Sequence, residues 1–332
     1  MPRVFQNRGG NLIELTEKIF VRNYDKGQLP ITPPMDMPEG GIAVVGNISE
    51  NGISKMTHLT DYLYQVWYND LDFEFARLYY LNSAPEVIGA CSSVRNGNFY
   101  GRNFDWLYDN HVEFVVKTMA SNYRHAVMGV TGSVSKLTKD FVESGVWDEI
   151  YKILPFMLVD GINDKGLVCS MHVVPLDKGK TTGTIPTAEK IDTVCSLMLP
   201  RYILDKFSTA NSAVDYLKKY VSIYVPTSLH DMGYETHFMI ADKENTYVIE
   251  FVENQIVVVN NSYLTNFYLD GVIFNQDGSV MTPATGNAII TNHITAYGSG
   301  LERYNLINSF SGSMSQLLNE LKFTNAYKRT TN

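Results

Sequence analysis

A cysteine stands directly after Gly89-Ala90 in the run GACSSVRNGNFYGRNFDW (89–106), with an arginine eleven residues on and an aspartate three beyond that. Asn96-Gly97, between CSSVR and NFYGR, is a strong hairpin signal, because a two-residue type I′ loop needs positive φ at both central positions. With 96 and 97 as the loop, Arg95 faces Asn98, Val94 faces Phe99 and Cys91 faces Arg102, on one sheet face with Cβ atoms about 4.5–5.5 Å apart. A guanidinium placed there favours the thiolate, the nucleophilic form, and lowers the thiol pKa from its usual value of about 8.5. Asp105 can hold a cation at the same end. Two readings are open at this point: a small buried cysteine beside a structural Arg102-Asp105 ion pair, or a nucleophile. Because Cys91 heads its hairpin, cleavage before it would leave a new N-terminus. Its α-amine, of reference pKa about 7.7–8.0, is a general base for its own thiol.

The surrounding elements must hold that hairpin. YDKGQLPITPPMDMPEGG (24–41) is too rich in proline and glycine for a regular element and reads as an extended loop. The aromatic string from Ser54 to Asn82, with Leu59, Leu63, Val66 and Trp67 at helical spacing, predicts a core-packing helix. FMLVDGINDKGLVCSMHVVP (156–175) predicts a hairpin of apolar strands, and THFMIADKENTYVIEFVENQIVVVNN (236–261) a β-meander. Helices are expected over 187–206 and 209–220, the second capped by Ser208, and over 301–310 and 313–323. Cys169 on its strand and Cys195 in its helix read as core residues. Strands and helices in this order suggest antiparallel sheets with helices packed outside.

The composition bounds the partners. The 332 residues are 45% hydrophobic and 19% charged, with 21 Tyr and 16 Phe, which fits a folded α and β protein with a large core. A net charge of -8 without a basic run gives no footprint for nucleic acid. No stretch of 18 or more apolar residues predicts an integral membrane segment, and the start MPRVFQNRGGNLIEL has no signal-like apolar core. Location is left open between the cytoplasm and export after loss of a signal. Three cysteines without CxxC spacing, and seven histidines without HExxH, argue against a disulfide framework and a metal site.

CSSVRNGNFYGRNFDW resembles the start of the mature chain in the choloylglycine hydrolase (linear amide C-N hydrolase) family of N-terminal-nucleophile hydrolases. Cys91 matches the nucleophile, and Arg102 and Asp105 match the Arg and Asp of the family's Gly-Arg-Asn-x-Asp. DGINDKGL (160–167) is similar to the family's hairpin near the acyl pocket, YLTN (263–266) to the segment with an oxyanion-hole asparagine, and GLERYNLI (300–307) to that with a second active-site arginine. The resemblance thereby adds Asn266 and Arg303 to the site. Where bile salt hydrolases carry a further oxyanion-hole Asn and penicillin V acylases a Tyr, this chain has SMHVVP, so His172 or Val173 stands at the substrate position. The 90 residues before Cys91 exceed the short leaders of those two branches and are closer to the long pro-segments of the acid-ceramidase branch.

The resemblance implies an α+β fold, the four-layered αββα sandwich, with a partly helical pro-segment over 1–90 and a catalytic domain over 91–332 that lacks its last closing strands. It implies a cysteine amidase acting on a small linear N-acyl amide, activated by autocleavage between Ala90 and Cys91. In it Asn266 holds the oxyanion, Arg102 supports the thiolate, Asp105 positions the α-amine and Arg303 tunes the charge. No metal or organic cofactor is required, and a homo-oligomer is allowed. Two alternatives keep the same residues: an uncleaved member that only binds an acyl ligand, and an acyltransferase that passes the thioester to an amine.

Overall fold

The structure, a computed structural model, describes residues 3–8, 11–15, 21–23, 53–60, 63–68, 71–82, 89–106, 112–118, 125–131, 150–175, 190–226, 229, 231, 234–252, 254–270, 273–274, 280–282 and 300–309. Two large sheets dominate these residues. The first has the order β17 (Tyr263–Leu264), β6 (Gly89–Asn96), β7 (Phe99–Trp106), β1 (Arg3–Arg8), β2 (Asn11–Leu15), β3 (Val21–Asn23). The second runs β16 (Gln255–Asn260), β15 (Thr246–Val252), β14 (Tyr234–Ala241), β11 (Val168–Pro175), β10 (Leu158–Asn163), β9 (Val127–Thr131), β8 (Glu113–Thr118), β5 (Leu63–Tyr68), β4 (Ile53–Thr60). A short parallel pair, β12 (Asp192–Cys195) and β13 (Val221–Tyr224), lies apart from both.

The sheets meet through β6 and β11. Helix α3 (Leu199–Lys206) covers β10 and β11, α4 (Ala210–Tyr220) covers β15 and β16, and α5 (Gly300–Asn308) covers β6 and β17 on the far side. The layers are therefore α, β, β, α. Strand alternation explains how one sheet serves two interiors, since successive side chains point to opposite faces. Val168, Met239 and Val248 face the other sheet with Val115 and Val130, whereas Phe238, Ile240 and Ile249 pack with Ile203, Leu204 and Leu217 of the helices. Full burial of each such side chain contributes about 1.5–3 kcal/mol.

Several elements depart from the sequence expectation. Ile53–Thr60 and Leu63–Tyr68 form β4 and β5, and among the described residues of this stretch only Phe73–Asn82 is helical, α1. In β5 the buried Tyr64, Val66 and Tyr68 alternate with the half-buried Gln65 and Trp67, so a period of two wins over a helical spacing. The helix expected over 187–206 is instead β12, a 3-10 turn (196–198) and α3. β-Branched Thr193 and Val194 favour the strand, and Pro200 starts the helix because its missing N–H is not needed in the first turn. Thr209, not Ser208, caps α4, accepting from Ser212 N at 3.2 Å. Both sheets are mixed: β1 pairs parallel with β7, and β5 with β8. The hairpin expected over 156–175 and the meander expected over 236–261 stand as β10–β11 and β14–β16. The loop over 24–41 and the helix over 313–323 lie outside the described residues.

The active-site hairpin is β6–β7, and its register differs from the one expected. Asn96 pairs with Phe99, and the loop is Gly97-Asn98. Gly97 has φ +57° while Asn98 is not in the positive region, the pattern of a type II′ turn with glycine at its first central position. Cys91 consequently faces Phe104, and Arg102 faces Ser93. The slip is an even number of residues, so Arg102 stays on the face of Cys91 as its diagonal neighbour.

Candidate active site

Cys91 lies where β6 meets the second sheet, 1% exposed. Arg102, also 1% exposed, reaches diagonally and donates from Nη2 to Cys91 Sγ at 3.3 Å and to Met171 O at 2.5 Å. Its Nη1 donates to Asp160 Oδ2 at 2.6 Å. Asp160 stands on β10 opposite Ser170 of β11, and thus faces the first sheet. Burial works against the Arg102 cation, but the charges of Cys91 and Asp160 outweigh it and raise its pKa. This is the arrangement a thiolate needs: a permanent cation, itself fixed by a carboxylate and a carbonyl.

β17 brings in the next group. Leu264 pairs with Ser93 in an antiparallel ladder, so the chain running on from Leu264 passes alongside Ser92 and Cys91. Asn266 then accepts on Oδ1 from Cys91 N at 2.7 Å and donates from Nδ2 to Val173 O at 2.5 Å. α5 closes the site from behind. Thr265 Oγ1 donates to Gly300 O at 2.7 Å, and a Cβ at position 300 would meet Asn266 backbone atoms at 3.2 Å, so glycine permits this close approach. One turn later Arg303 donates to Cys91 O at 2.5 Å, Ser92 Oγ at 2.8 Å and Asn266 Oδ1 at 2.8 Å.

Beside this group lies a buried polar cluster. Ser93 Oγ and His172 Nε2 are 2.6 Å apart, and Tyr100 OH hydrogen-bonds both Ser93 and Ser170. Burial, then the fields of Arg102, His237 and Arg303, hold the His172 pKa well below its ordinary value, so its ring is neutral. Burial pushes the Cys169 pKa up, and that of Cys195 up to about 12; all three cysteines are free.

A profile described as "Linear amide C-N hydrolases, choloylglycine hydrolase family" matches residues 91–306, more than half of the chain, starting at the cysteine just described. The chain belongs to this family. It is a hydrolase of C–N bonds in linear amides, and small amides are the family's substrates. No curated protein matches it. Among solved structures it is similar to the conjugated bile acid hydrolase of Clostridium perfringens, at 15% identity and TM-score 0.43, covering 70% of this chain and 79% of that one. A second structure of that enzyme gives 15% and 0.39, over 70% and 74%. The penicillin V acylase of Agrobacterium tumefaciens gives 14% and 0.37, over 74% and 65%.

Of the residues expected in this family member's site, Cys91, Arg102, Asn266 and Arg303 are brought together. Asp105 pairs with Ala90 across the hairpin, and its side chain lies outside the described residues. The carboxylate on Arg102 is Asp160, the first residue of DGINDKGL, which has no role of its own in the sequence expectation. Val173 touches the site through its carbonyl, and His172 points its ring into the Ser93 cluster, both side chains being buried. Among the described residues no group of three or more His, Cys, Asp and Glu could hold a metal, and no helix is long and apolar enough to cross a membrane.

Proposed function

We propose that the chain is a cysteine N-terminal-nucleophile amidase that hydrolyses a linear N-acyl amide after cleavage between Ala90 and Cys91. The observation that carries this is the placement of both ends of Cys91: its sulfur 3.3 Å from the Arg102 guanidinium and its own nitrogen 2.7 Å from Asn266 Oδ1. In the uncut chain that nitrogen is an amide without a basic lone pair, and it serves as a donor only.

Maturation begins with attack of Cys91 Sγ on the Ala90 carbonyl. A thioester forms, the C–N bond breaks and the nitrogen takes up the proton. That step frees the α-amine, which lies within reach of Asn266 Oδ1; water then hydrolyses the thioester, releasing the Ala90 carboxylate and returning the Cys91 thiol. In turnover this amine takes the thiol proton, and the thiolate, favoured by Arg102, attacks the substrate carbonyl. Asn266 Nδ2 carries two N–H groups; Val173 O takes one and orients the other towards the developing oxyanion. Collapse sends the proton from the α-ammonium to the leaving amine, and water, deprotonated by the amine, releases the acid. Asp105 is assigned the α-amine, and Arg303 fixes the Cys91 carbonyl and Asn266 together.

The segment 1–90 supplies β1 to the first sheet and β4 and β5 to the second. On this reading it remains bound after the cut, because release would expose Leu63, Tyr64, Val66 and Tyr68, all buried. Intact mass and N-terminal sequencing of active protein test the proposal. The expected result is Cys-Ser-Ser-Val on one fragment, with the segment ending at Ala90 co-purifying. Full activity in protein that is uncut by mass would refute it.

A further inference from the structure

The loop that carries Asn266 is held by a pair of ionisable side chains with no place in the chemistry above. His237 on β14 and Glu250 on β15 are neighbours across the ladder, and both are fully buried. His237 Nε2 lies 2.8 Å from Thr265 O, and Nδ1 lies 3.2 Å from Glu250 Oε1. Glu250 accepts from Leu269 N on Oε1 at 2.7 Å and from Asp270 N on Oε2 at 2.8 Å. Thr265 O is a carbonyl, so Nε2 carries hydrogen and donates.

We propose that His237 and Glu250 are positioning residues, which grip the 265–270 segment at both ends and so fix the amide of Asn266; this rests on the reading of Asn266 as oxyanion donor. The segment leaves its strand at Leu264, and Phe267, Tyr268 and Leu269 are buried. Its backbone polar groups therefore need partners that no ladder supplies. A carboxylate accepts two N–H groups and a ring proton at once; a carboxamide, with one oxygen, cannot. An apolar pair of equal volume would take these partners from Thr265 O, Leu269 N and Asp270 N, so the ionisable pair serves the geometry of this loop.

The test compares Glu250→Gln, His237→Leu and His237→Gln. The last keeps a donor near Thr265 and cuts only the link to Glu250. Two rates are measured at Cys91: acylation by p-nitrophenyl butyrate, which passes through an oxyanion, and alkylation by iodoacetamide, which does not. Glu250→Gln and His237→Leu should slow acylation about 100-fold with alkylation within about twofold of wild type, and His237→Gln should recover about tenfold. An equal fall in both rates, or no fall in acylation, overturns the proposal. If the wild-type protein is alkylated but not acylated, the amidase reading fails. The positioning claim is then read from amide hydrogen exchange over 265–270, expected to be about tenfold faster in Glu250→Gln and His237→Gln than in wild type. Unchanged exchange there overturns it as well.

Discussion

Removing the Arg102 charge should damage the fold and the thiol for separable reasons. Arg102 and Asp160 are each 1% exposed and joined at 2.6 Å, so bulk solvent reaches neither partner. Arg102→Gln leaves the Asp160 carboxylate buried without its cation, and breaking a buried pair in this way costs about 3–5 kcal/mol. That is a large part of the roughly 5–15 kcal/mol that holds a domain together. Asp160→Asn should cost a similar amount, since the buried guanidinium loses the carboxylate that balances its charge. The double variant Arg102→Gln/Asp160→Asn removes both charges and should be more stable than either single one. Urea unfolding of the four proteins gives the cycle, and iodoacetamide alkylation against pH gives the thiol. Alkylation near neutral pH should survive in Asp160→Asn and be lost in both variants lacking Arg102. Losses that simply add in the double variant would show that the charges are not paired. A double variant with the wild-type alkylation profile would show that Arg102 does not support the thiolate.

Cys91→Ala should abolish amide hydrolysis while Cys169→Ala and Cys195→Ala retain it, as burial raises the pKa of both other thiols; activity surviving in Cys91→Ala would end the assignment. Arg102→Lys should lose most activity and shift the alkylation profile, because an ammonium cannot replace a planar fork serving Asp160, Met171 and Cys91 together. His172 gives a pH dependence with a definite sign. Its native pKa is depressed, so below the unfolded value of about 6.5 only the unfolded chain takes up the proton and stability falls with pH by up to about 1.4 kcal/mol per unit. His172→Gln should lack this component, and equal acid slopes in urea midpoints between pH 7 and 5 would remove the claim.

What was legible in the sequence follows the range of each interaction. The hairpins around Cys91 and between β10 and β11 are local, and glycine, asparagine and alternation mark them. The II′ turn escaped because Asn-Gly suits a I′ loop equally well, and only the register of the folded pair separates them. β4 and β5 escaped because Leu63 and Val66, which lie on opposite faces of the strand, have the spacing of one helix face, and the pairing that decides for a strand comes from β8, some fifty residues on. Asp160, His237 and Glu250 carry no motif of their own. Each is defined by what it meets across two sheets, and a carboxylate on a strand looks the same in sequence whether it faces solvent or a buried guanidinium.

One strand joins the two halves of the proposed chemistry. β6 does not begin at the nucleophile: Gly89 pairs with Trp106 and Ala90 with Asp105, so the bond assigned to cleavage lies inside a ladder. Cys91 is fixed independently of those two residues, by Asn266 on its nitrogen, Arg303 on its carbonyl and Arg102 on its sulfur. The scissile carbonyl is thus presented from a rigid strand to a sulfur that cannot rotate far. Once the bond is cut, Gly89 and Ala90 retain only the end of a ladder, while Cys91 keeps every contact that its sulfur, nitrogen and carbonyl need. On the proposed reading the structure that orders the uncut chain is therefore also the structure the cut site requires, and cleavage would change one atom's chemistry, the Cys91 nitrogen, from amide donor to amine base.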